Sequence, residues 1–409
     1  MRFPEFIGEW KVERLGDIIE FKAGYAFPSS GMLNAKSTYQ LIKMSNVYRN
    51  ELRLDRNPSF WDRVNVKQTE FLLKKGDTIL TLTGTVGKKD FGYSVQINED
   101  DKYLLNQRLV LLREKKGKSV NGFVGQVVSN EKFLDDFFEI AKGGTGNQTN
   151  VGIEGIKNLS FHFPFEPEQR KIAEFLDLID RRIQTQNKII GELKLLKSSV
   201  VKKFFENKLR FKNRDSNSNW ERKKLGEISK EHLHKNRNNQ YLEVFSVSKH
   251  KGVINQIEHL GRSFSAKEIM HYKLVYNGDL VYTKSPTSEF PFGIIKQNRT
   301  GRVGVVSPLY CVFTPKTFAL GYLLHEYFNS PVNTFNYLNP LVQKGAKNTM
   351  NINNDTFLNG AKLLLPTNEK EQDKIYNILS LINNKIEVEN LLLTQYENQK
   401  KYLLQNLFI

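Results

Sequence analysis

The chain has 409 residues, too many for one ordinary hydrophobic core, so two or three domains are expected. Lys and Arg exceed Asp and Glu by 17, which favours a polyanionic partner such as nucleic acid over a generally basic surface. Cys311 is the only cysteine, which excludes an intrachain disulfide and a multi-cysteine zinc site and fits a reducing compartment.

The N-terminal residues lack the apolar core of a signal peptide. No apolar run approaches the roughly 18 residues that a bilayer-spanning helix needs. We therefore expect a cytoplasmic protein.

Each half of the chain opens with the same short pattern, in which tryptophan, leucine, glycine and isoleucine recur 210 residues apart. The paired residues are Trp10 and Trp220, Leu15 and Leu225, Gly16 and Gly226, and Ile18 and Ile228. We interpret the pattern as a packing motif that starts a domain.

β-Rich stretches follow in both halves. Gly76-Asp77 and Gly278-Asp279 each precede an apolar, β-branched run, which is a signal for the start of a strand. Buried strands are predicted at 107–112 and 309–313, and short helices at 123–140 and 320–337.

Polar, basic loops in both halves carry the candidate DNA-binding residues, because Arg and Lys can hold phosphates or recognise guanine, while Asn, Gln, Ser and Thr can also contact base edges. In the first half these are Lys43, Asn46, Arg49, Arg53, Thr83, Thr85, Lys88, Lys89, Asn147 and Gln148. In the second half they are Lys249, His250, Lys251, Lys284, Ser285, Thr287, Ser288, Lys344, Lys347 and Asn348. Each alone would pass for an ordinary surface residue, but their recurrence at matching places predicts a DNA-facing loop side in each half.

Each half ends in a predicted helix of about forty residues, or roughly 60 Å. Its apolar residues follow the alternating three- and four-residue spacing of a coiled-coil seam. The seam of the first helix is Ile172, Leu176, Ile179, Ile183, Ile190 and Leu193, continued by Val200 and Phe204. The seam of the second is Ile375, Leu379, Ile382, Ile386, Leu393 and Leu403, with Tyr396 and Leu407.

A constant offset of 203 residues relates the two seams, as Ile172 and Ile375 illustrate. The same offset relates the polar seam positions Gln186 and Glu389, and Lys197 and Lys400, which are candidates for fixing the register of the pair. We expect the helices to pair antiparallel within one chain; the alternative is that each packs on its own domain. Acidic residues in the first turn of both helices, in Glu168-Gln169 and Glu371-Gln372, favour the positive end of the helix dipole.

A search for catalytic motifs finds none that is complete. Asn57-Pro58-Ser59-Phe60 resembles the base-holding motif of adenine-N6 methyltransferases, but no glycine-rich S-adenosylmethionine turn accompanies it, and a turn is the favoured interpretation. The segment 83–88 lacks the first glycine of a phosphate-binding loop. His232 and His234 form the only close histidine pair and lack a third ligand at a recognisable spacing, so no metal site is predicted.

With these features together, the chain resembles the specificity (S) subunits of type I restriction-modification systems over nearly its whole length. The order and duplication of the motifs carry the resemblance, since no single motif is decisive. Besides the paired openings and Gly-Asp strand starts, the motifs are Thr83-Gly84-Thr85-Val86-Gly87, Asn106-Gln107-Arg108, Ser307-Pro308-Leu309-Tyr310 and the Glu-Gln helix starts.

The resemblance implies an α+β fold with a pseudo-twofold internal repeat: two globular α/β target-recognition domains joined by two long antiparallel coiled-coil helices. The corresponding division is 1–165 and 213–366 for the recognition domains, and 166–212 and 367–409 for the spacer helices, with a polar linker at 213–219.

The resemblance also implies a non-catalytic subunit that recognises both halves of a bipartite duplex DNA target. Its implied partners are two methyltransferase (M) subunits, which dock on the helices, and restriction (R) subunits. S-Adenosylmethionine, ATP and Mg²⁺ are expected on those partners, with no cofactor bound by this chain. The alternatives are a tandem nucleic-acid-binding or other adaptor outside restriction-modification, and a stand-alone adenine-N6 methyltransferase. The DNA target itself cannot be derived from the sequence.

Overall fold

A computed structural model describes residues 2–143, 148–211, 220–265, 268–344 and 350–408. Its contacts divide the chain into two compact units, Met1–Lys188 with Leu391–Ile409, and Ile189–Asn390. Each unit contains small β-sheets, short helices and segments of two long helices, so the predicted α+β fold class is confirmed. The predicted linker at 213–219 lies outside the described residues.

The first unit carries fourteen strands among its described residues, and most are short. They are Lys11–Arg14, Ile19–Ala23, Tyr39–Ile42, Val47–Tyr48, Glu51–Leu52, Phe60–Trp61, Thr78–Thr81, Thr83–Thr85, Ser94–Gln96, Tyr103–Leu105, Leu109–Glu114, Lys142–Gly143, Gln148–Asn150 and Ser160–Phe163. Its short α-helices are Leu15–Ile18, Val66–Thr69, Asn121–Val128, Glu131–Glu139 and Ile153–Lys157.

The second unit repeats this inventory in reduced form. Its described strands are Trp220–Lys224, Ser229–Glu231, Phe245–Ser248, Gly252–Asn255, Lys273–Val275, Leu280–Tyr282, Ile295–Gln297, Gly304–Val306, Cys311–Pro315, Gln343–Lys344, Met350–Asn351 and Lys362–Pro366. Its short α-helices are Leu225–Ile228, Gln256–Leu260, Phe318–Phe328, Pro331–Leu338 and Asn354–Asn359.

A four-stranded antiparallel sheet with the same strand order lies in each unit. In the first unit the order is Ile19–Ala23, Leu109–Glu114, Thr78–Thr81, Ser94–Gln96. In the second it is Ser229–Glu231, Cys311–Pro315, Leu280–Tyr282, Ile295–Gln297. The strands that follow the two Gly-Asp pairs, Thr78–Thr81 and Leu280–Tyr282, occupy the same position in the two sheets. This confirms the predicted strand starts and shows that the two halves repeat the same sheet topology.

The carboxylate of each Gly-Asp pair is buried and holds its strand in place. Asp77 accepts two hydrogen bonds from the Arg113 guanidinium, at 2.7 and 2.6 Å, across the paired strand. Asp279, its counterpart, contacts the His232 Nε2 at 2.9 Å and accepts from the Thr314 hydroxyl at 2.6 Å. The two halves therefore bind the equivalent buried carboxylate with different side chains.

Both helices predicted in front of the long ones are interrupted in the middle. The segment predicted at 123–140 is two helices, because Asn130 caps the second by accepting from the Lys132 amide at 2.8 Å. Pro331, at the first turn of the helix Pro331–Leu338, marks the equivalent break in the other half. A cap residue and a proline thus divide segments whose apolar periodicity alone looks continuous.

The central helix, Glu166–Phe205, and the terminal helix, Glu369–Leu407, are each continuous over 40 and 39 residues. Every predicted seam residue is buried or half-buried. In the first unit Leu176 and Ile179 of the central helix share a core with Leu403 and Leu407 of the terminal helix.

The two helix segments run antiparallel within each unit. In the first unit Asp180 lies 2.6 Å from Lys400, and Arg182 lies over the ring of Tyr396. Residue numbers therefore rise along the central helix while those of its contacts on the terminal helix fall. In the second unit Phe204 of the central helix packs with Ile375 and Leu379 of the terminal helix. The pairing of the two helices within one chain is therefore confirmed in place of separate packing.

The Glu-Gln pairs at the helix starts join each long helix to its domain. Gln169 donates to the carbonyls of Pro164 and Lys118, at 2.9 and 3.1 Å, and accepts from the Val120 amide at 3.2 Å. Gln372 donates to the Pro366 carbonyl at 2.9 Å. The expectation from the sequence concerned the acidic residues and the helix dipole. The glutamines have a separate role, because they hydrogen-bond the start of each long helix to neighbouring backbone.

The adjacent glutamates are buried and accept hydrogen bonds from residues outside the long helices. Glu168 accepts two bonds from the Arg2 guanidinium, at 2.7 and 2.6 Å. Glu371 accepts from the indole nitrogen of Trp220 at 3.0 Å, and the Arg210 guanidinium lies over that indole ring. Among the described residues no helix has the length and apolar character needed to cross a membrane.

Candidate nucleic-acid interface

A hairpin with an arginine at its tip is the clearest basic feature of the first unit. Strands Val47–Tyr48 and Glu51–Leu52 pair antiparallel, and the two turn residues, Arg49 and Asn50, both have positive φ. Such a two-residue turn follows the right-handed twist of the strands. The exposed Arg49 guanidinium is therefore carried on a short, hydrogen-bonded element rather than on a long loop.

Tyr48 orients two guanidinium groups at this hairpin. Arg49 and Arg56 both lie over its ring, with their Cζ atoms 5.3 and 5.1 Å from the ring centroid. Tyr48 in turn packs edge-on against Tyr93, which directly precedes strand Ser94–Gln96. Because stacking restricts the rotamers of two long side chains, it lowers the entropy that they lose on contacting a ligand.

Asn46, one of the predicted DNA-binding residues, is buried inside the protein. It is 0% exposed, and its amide donates to the carbonyls of Arg53 and Arg56 at 2.9 and 2.7 Å. Its side-chain oxygen accepts from the Lys43 amide at 3.0 Å. Asn46 shapes the loop from within, and it acts on the neighbouring arginines only through their backbone.

Two other predicted residues of this loop are partly engaged within the protein. The half-buried Lys43 donates to the Ser59 hydroxyl at 2.7 Å. Arg53 is exposed and pairs with Glu51 on the hairpin. Because of these contacts, neither is as free as Arg49 to contact a phosphate.

The structure joins two predicted segments that are far apart in sequence. Strand Thr83–Thr85 pairs antiparallel with Gln148–Asn150, so that Gln148 lies opposite Thr85. Thr83, one of the predicted DNA-binding residues, is buried, and its hydroxyl donates to the Asn150 side chain at 3.2 Å, which gives it a structural role.

The turn after this strand carries the basic residues. Asp90 accepts from the Thr85 amide and hydroxyl at 2.8 and 2.7 Å, and these bonds lower the pKa of its carboxyl group. Lys88 and Lys89 are exposed, and the Lys89 ammonium lies over the ring of Phe138. Lys88 and Lys89 on this turn, and Gln148 on the paired strand, are therefore exposed to solvent.

A cavity of about 390 Å³ connects the hairpin to this turn. Asn50 lies at one side, Lys89 at another, and the rings of Phe91, Tyr93 and Phe138 form its wall. The Asn50 side chain also accepts from the Ser94 amide at 2.9 Å. The predicted basic segments of the first unit are therefore neighbours in space.

The second unit has a comparable hairpin. Strands Phe245–Ser248 and Gly252–Asn255 pair antiparallel, and Lys249, His250 and Lys251 form the connection, with His250 and Lys251 exposed. Lys249 pairs with Glu289, which brings the tip of the hairpin to the polar loop that follows Lys284.

Lys284 itself differs from an ordinary surface lysine. It has a positive φ of 59°, and burial lowers its pKa. Ser285, Thr287 and Ser288 are exposed beyond it. Gly293 approaches the Lys284 backbone so closely that an added Cβ would lie 2.8 Å from its Cα, which fixes the course of this loop.

Several predicted residues lie outside the described part of the chain. Asn147, Lys347 and Asn348 fall in its gaps, and for Lys344 only the backbone is described, in the short strand Gln343–Lys344.

Two exposed basic residues, Arg108 and Arg56, were not among the predicted DNA-binding residues. Arg108 has a positive φ of 68°, and its carbonyl accepts from the Leu82 amide at 3.2 Å, directly before strand Thr83–Thr85. Arg56 shares the ring of Tyr48 with Arg49. The sequence offered one signal for each, namely its position. Arg56 is close to other arginines of the same loop, and Arg108 directly precedes a buried strand.

The segment from Asn57 to Phe60 is a turn, as favoured from the sequence. Asn57 has a positive φ of 47° and is exposed, and Phe60 begins the strand Phe60–Trp61. Within the described residues, no group of three or more His, Cys, Asp or Glu side chains is arranged to hold a metal ion.

Comparison with known proteins gives a consistent result. Residues 7–195 match the family model of the type I restriction modification DNA specificity domain. The chain is similar to the type I restriction enzyme MjaVIII specificity subunit of Methanocaldococcus jannaschii, at 23% identity over 214 residues. That match covers 50% of this chain and 47% of the relative, so the chain spans about half the length of the curated relative that it matches.

Two solved structures share the fold. The type I restriction-modification S subunit from M. genitalium covers 100% of this chain, with 98% of its own length matched, at a TM-score of 0.60 and 15% identity. A chain in a structure concerning complex assembly and conformational transition of a type I restriction-modification system covers 98% of this chain, with 98% of its own length matched, at a TM-score of 0.50 and 12% identity. The likeness extends over both units.

Proposed function

We propose, on the premise that this chain belongs to the type I restriction modification DNA specificity family, that it recognises a bipartite sequence in duplex DNA. Each target-recognition domain, 1–165 and 213–366, contacts one half of the target. The observation that carries this proposal is the basic hairpin found in each unit, with Arg49 at one tip and Lys249–Lys251 at the other.

Two kinds of contact are assigned to these surfaces. Exposed lysines such as Lys88 and Lys251 hold phosphates, which gives affinity and orientation without sequence information. Arg49 and Arg56, held together by Tyr48, are the candidates for contacts with base edges in the major groove, where arginine pairs bidentately with guanine.

The chemistry of the complex is assigned to partners. The chain recognises DNA and assembles with M subunits and R subunits, which bind S-adenosylmethionine, ATP and Mg²⁺. The chain itself is proposed to be non-catalytic and to bind no cofactor.

Exposed leucines at matching positions of the long helices support a partner that is present twice. Leu178 on the central helix is 58% exposed, and Leu381, 203 residues later on the terminal helix, is 66% exposed. Single exposed apolar side chains are common on protein surfaces, so the argument rests on the recurrence of leucine at the equivalent position. We assign each leucine to the docking of one M subunit.

Mutation of each leucine tests this assignment. Leu178→Glu and Leu381→Glu should each reduce the stoichiometry from two M subunits to one, as measured by native mass spectrometry of the purified complex. Leu195→Glu is the matched control, because Leu195 is 72% exposed but its counterpart is Asn398. Two M subunits retained by either test variant would contradict the assignment.

The function itself is tested by sequencing the methylated adenines of cells with and without this gene. A bipartite motif that depends on the gene is expected, and Arg49→Ala should relax one half of it while Lys67→Ala, at an exposed helix position, leaves it unchanged. Removing one heptad from each long helix shortens each by about 10.5 Å, so the gap should change by about 3 base pairs. Methylation that is independent of the gene would contradict the proposal.

A further inference from the structure

Three elements of the first unit meet at one polar cluster, in which Gln126 is buried and the two charged residues are half-buried. The Lys400 ammonium of the terminal helix lies 2.6 Å from Asp180 Oδ1 of the central helix. The other carboxylate oxygen of Asp180 accepts from the Gln126 amide at 3.1 Å, and Gln126 belongs to the domain helix Asn121–Val128. Gln126, Asp180 and Lys400 are called the first junction cluster below.

The second unit contains a cluster of the same design. The Lys197 ammonium of the central helix lies 2.8 Å from Glu326 Oε1, on the domain helix Phe318–Phe328. The same oxygen accepts from the Asn383 amide of the terminal helix at 3.3 Å. Glu326 is 3% exposed, and its second oxygen accepts from Asn329 at 3.4 Å. Lys197, Glu326 and Asn383 are called the second junction cluster.

The two clusters are related by the internal repeat, but their negative charge has moved. Lys197 corresponds to Lys400, and Asp180 corresponds to Asn383, each 203 residues apart. In the first cluster the long helix supplies the carboxylate and the domain helix supplies an amide. In the second the domain helix supplies the carboxylate and the long helix an amide. Each carboxylate thus accepts from one lysine and one amide, which belong to two different elements.

A cluster of this kind opposes sliding of the helices more strongly than apolar contacts do. Leucine and isoleucine at a seam can exchange neighbours after a shift of one heptad with little loss of buried area. A shift of one turn, about 5.4 Å, would carry each lysine out of reach of its carboxylate. It would leave a half-buried pair of charges unpaired in the first cluster and the buried Glu326 carboxylate unpaired in the second. Since each cluster includes a domain helix, it also ties the domain to that register.

We propose that the two junction clusters are the positioning residues that fix the register of the central and terminal helices, and with it the spacing between the recognised half-sites. The part concerning half-sites depends on the proposed function, whereas the part concerning register does not. The essential feature is that each lysine has one carboxylate partner. The carboxylate can belong either to a long helix or to a domain helix.

Disulfide trapping measures the register in the full chain without DNA. The Arg182 guanidinium lies 6.0 Å from the ring centroid of Tyr396, so Arg182→Cys is combined in turn with Tyr396→Cys, Leu392→Cys and Gln399→Cys. Native register favours the first combination, and a slip of about one turn favours one of the others. Cys311 is fully buried and stays in place.

Asp180→Asn should raise the trapped fraction of shifted registers by about tenfold, equivalent to about 1.4 kcal/mol. Adding Gln126→Glu moves the carboxylate to the domain helix, as in the second cluster, and should restore the native pattern. Asp177→Asn is the matched control, because Asp177 pairs with Arg181 inside the same helix. Unchanged trapping in Asp180→Asn, or a failed rescue by Gln126→Glu, would overturn the proposed role in register.

The same variants, co-expressed with the M subunits, test the spacing. Asp180→Asn should add methylated sites whose gap differs from that of the parent, and the rescued double variant should lose them. A changed trapping pattern with an unchanged gap would overturn the link between register and spacing. If the parent chain directs no bipartite methylation, the proposed function fails, while the trapping result still decides the role of the clusters.

Discussion

Replacing Lys296 with Met should make the second unit more stable at neutral pH and remove a rise in its stability with increasing pH. Lys296 lies in the edge strand Ile295–Gln297 and is 2% exposed, yet its ammonium donates only to a neutral amide oxygen, that of Asn329, among the contacts that the structure gives it. Met has a similar length and no charge, so it keeps most of the packing of the aliphatic stem.

The expected magnitude follows from the pKa of Lys296, which burial lowers from 10.5 to about 8. Glu326 opposes this shift, while Lys197, Arg299 and Lys249 add to it. A lysine whose pKa is lower in the folded than in the unfolded state binds fewer protons when folded, so stability rises with pH between about 8 and 10.5. At about 1.4 kcal/mol per pKa unit, the rise from pH 7 to pH 10 is about 2.5 kcal/mol.

Urea unfolding of the full chain measures this difference when it is followed through Trp220, with Trp10 and Trp61 replaced by Phe in both proteins. The free energy of unfolding of the parent should rise relative to that of Lys296→Met by about 2.5 kcal/mol between pH 7 and pH 10. Because other titrating groups are common to both proteins, they cancel in the comparison. Parallel pH profiles would show that Lys296 is fully charged in the folded protein and would refute the reasoning.

Three further outcomes are expected. Asp77→Asn leaves the Arg113 guanidinium without its carboxylate and should lower the free energy of unfolding by about 3 kcal/mol, which urea unfolding would detect; a loss under about 0.5 kcal/mol would contradict it. Gln169→Ala removes three hydrogen bonds at the start of the central helix and should lower the Tm, whereas an unchanged Tm would contradict the role of Gln169 in holding the helix to neighbouring backbone. With the M subunits bound, log Kd for DNA should depend linearly on log salt concentration, and Arg49→Ala should reduce the slope by about one if that guanidinium contacts a phosphate, or leave it unchanged if it contacts a base.

Local patterns in the sequence were sufficient to predict the elements that frame the molecule. The seam of the long helices follows from the spacing of residues such as Leu176 and Ile179, because a period near 3.5 residues places them on one side of a helix. The strands after Gly76 and Gly278 follow from a turn signal and a β-branched run. Both patterns depend only on residues that are close in the sequence, so a single sequence is enough to recognise them.

The candidate DNA contacts depend on which loop side chains are buried, and neighbouring residues do not determine this. Asn46 and Arg49 are three positions apart in the same polar loop. Asn46 is fully buried and donates to the carbonyls of residues 53 and 56, whereas Arg49 is exposed at a hairpin tip. The positive φ of Arg108 and the stacking of Arg56 on Tyr48 likewise arise from the folded chain. Composition therefore indicates which loops are polar and basic, but not which of their side chains are exposed.

The internal repeat preserves contacts rather than residues, and this limits what one half reveals about the other. The buried carboxylates Asp77 and Asp279 occupy the same place, but a guanidinium neutralises the first and an imidazole contacts the second. The carboxylate facing Lys400 belongs to a long helix, whereas the one facing Lys197 belongs to a domain helix. Since even the structural pairs have exchanged their side chains, DNA contacts cannot be transferred from one domain to the other by alignment. Each recognition surface has to be assigned from its own exposed side chains.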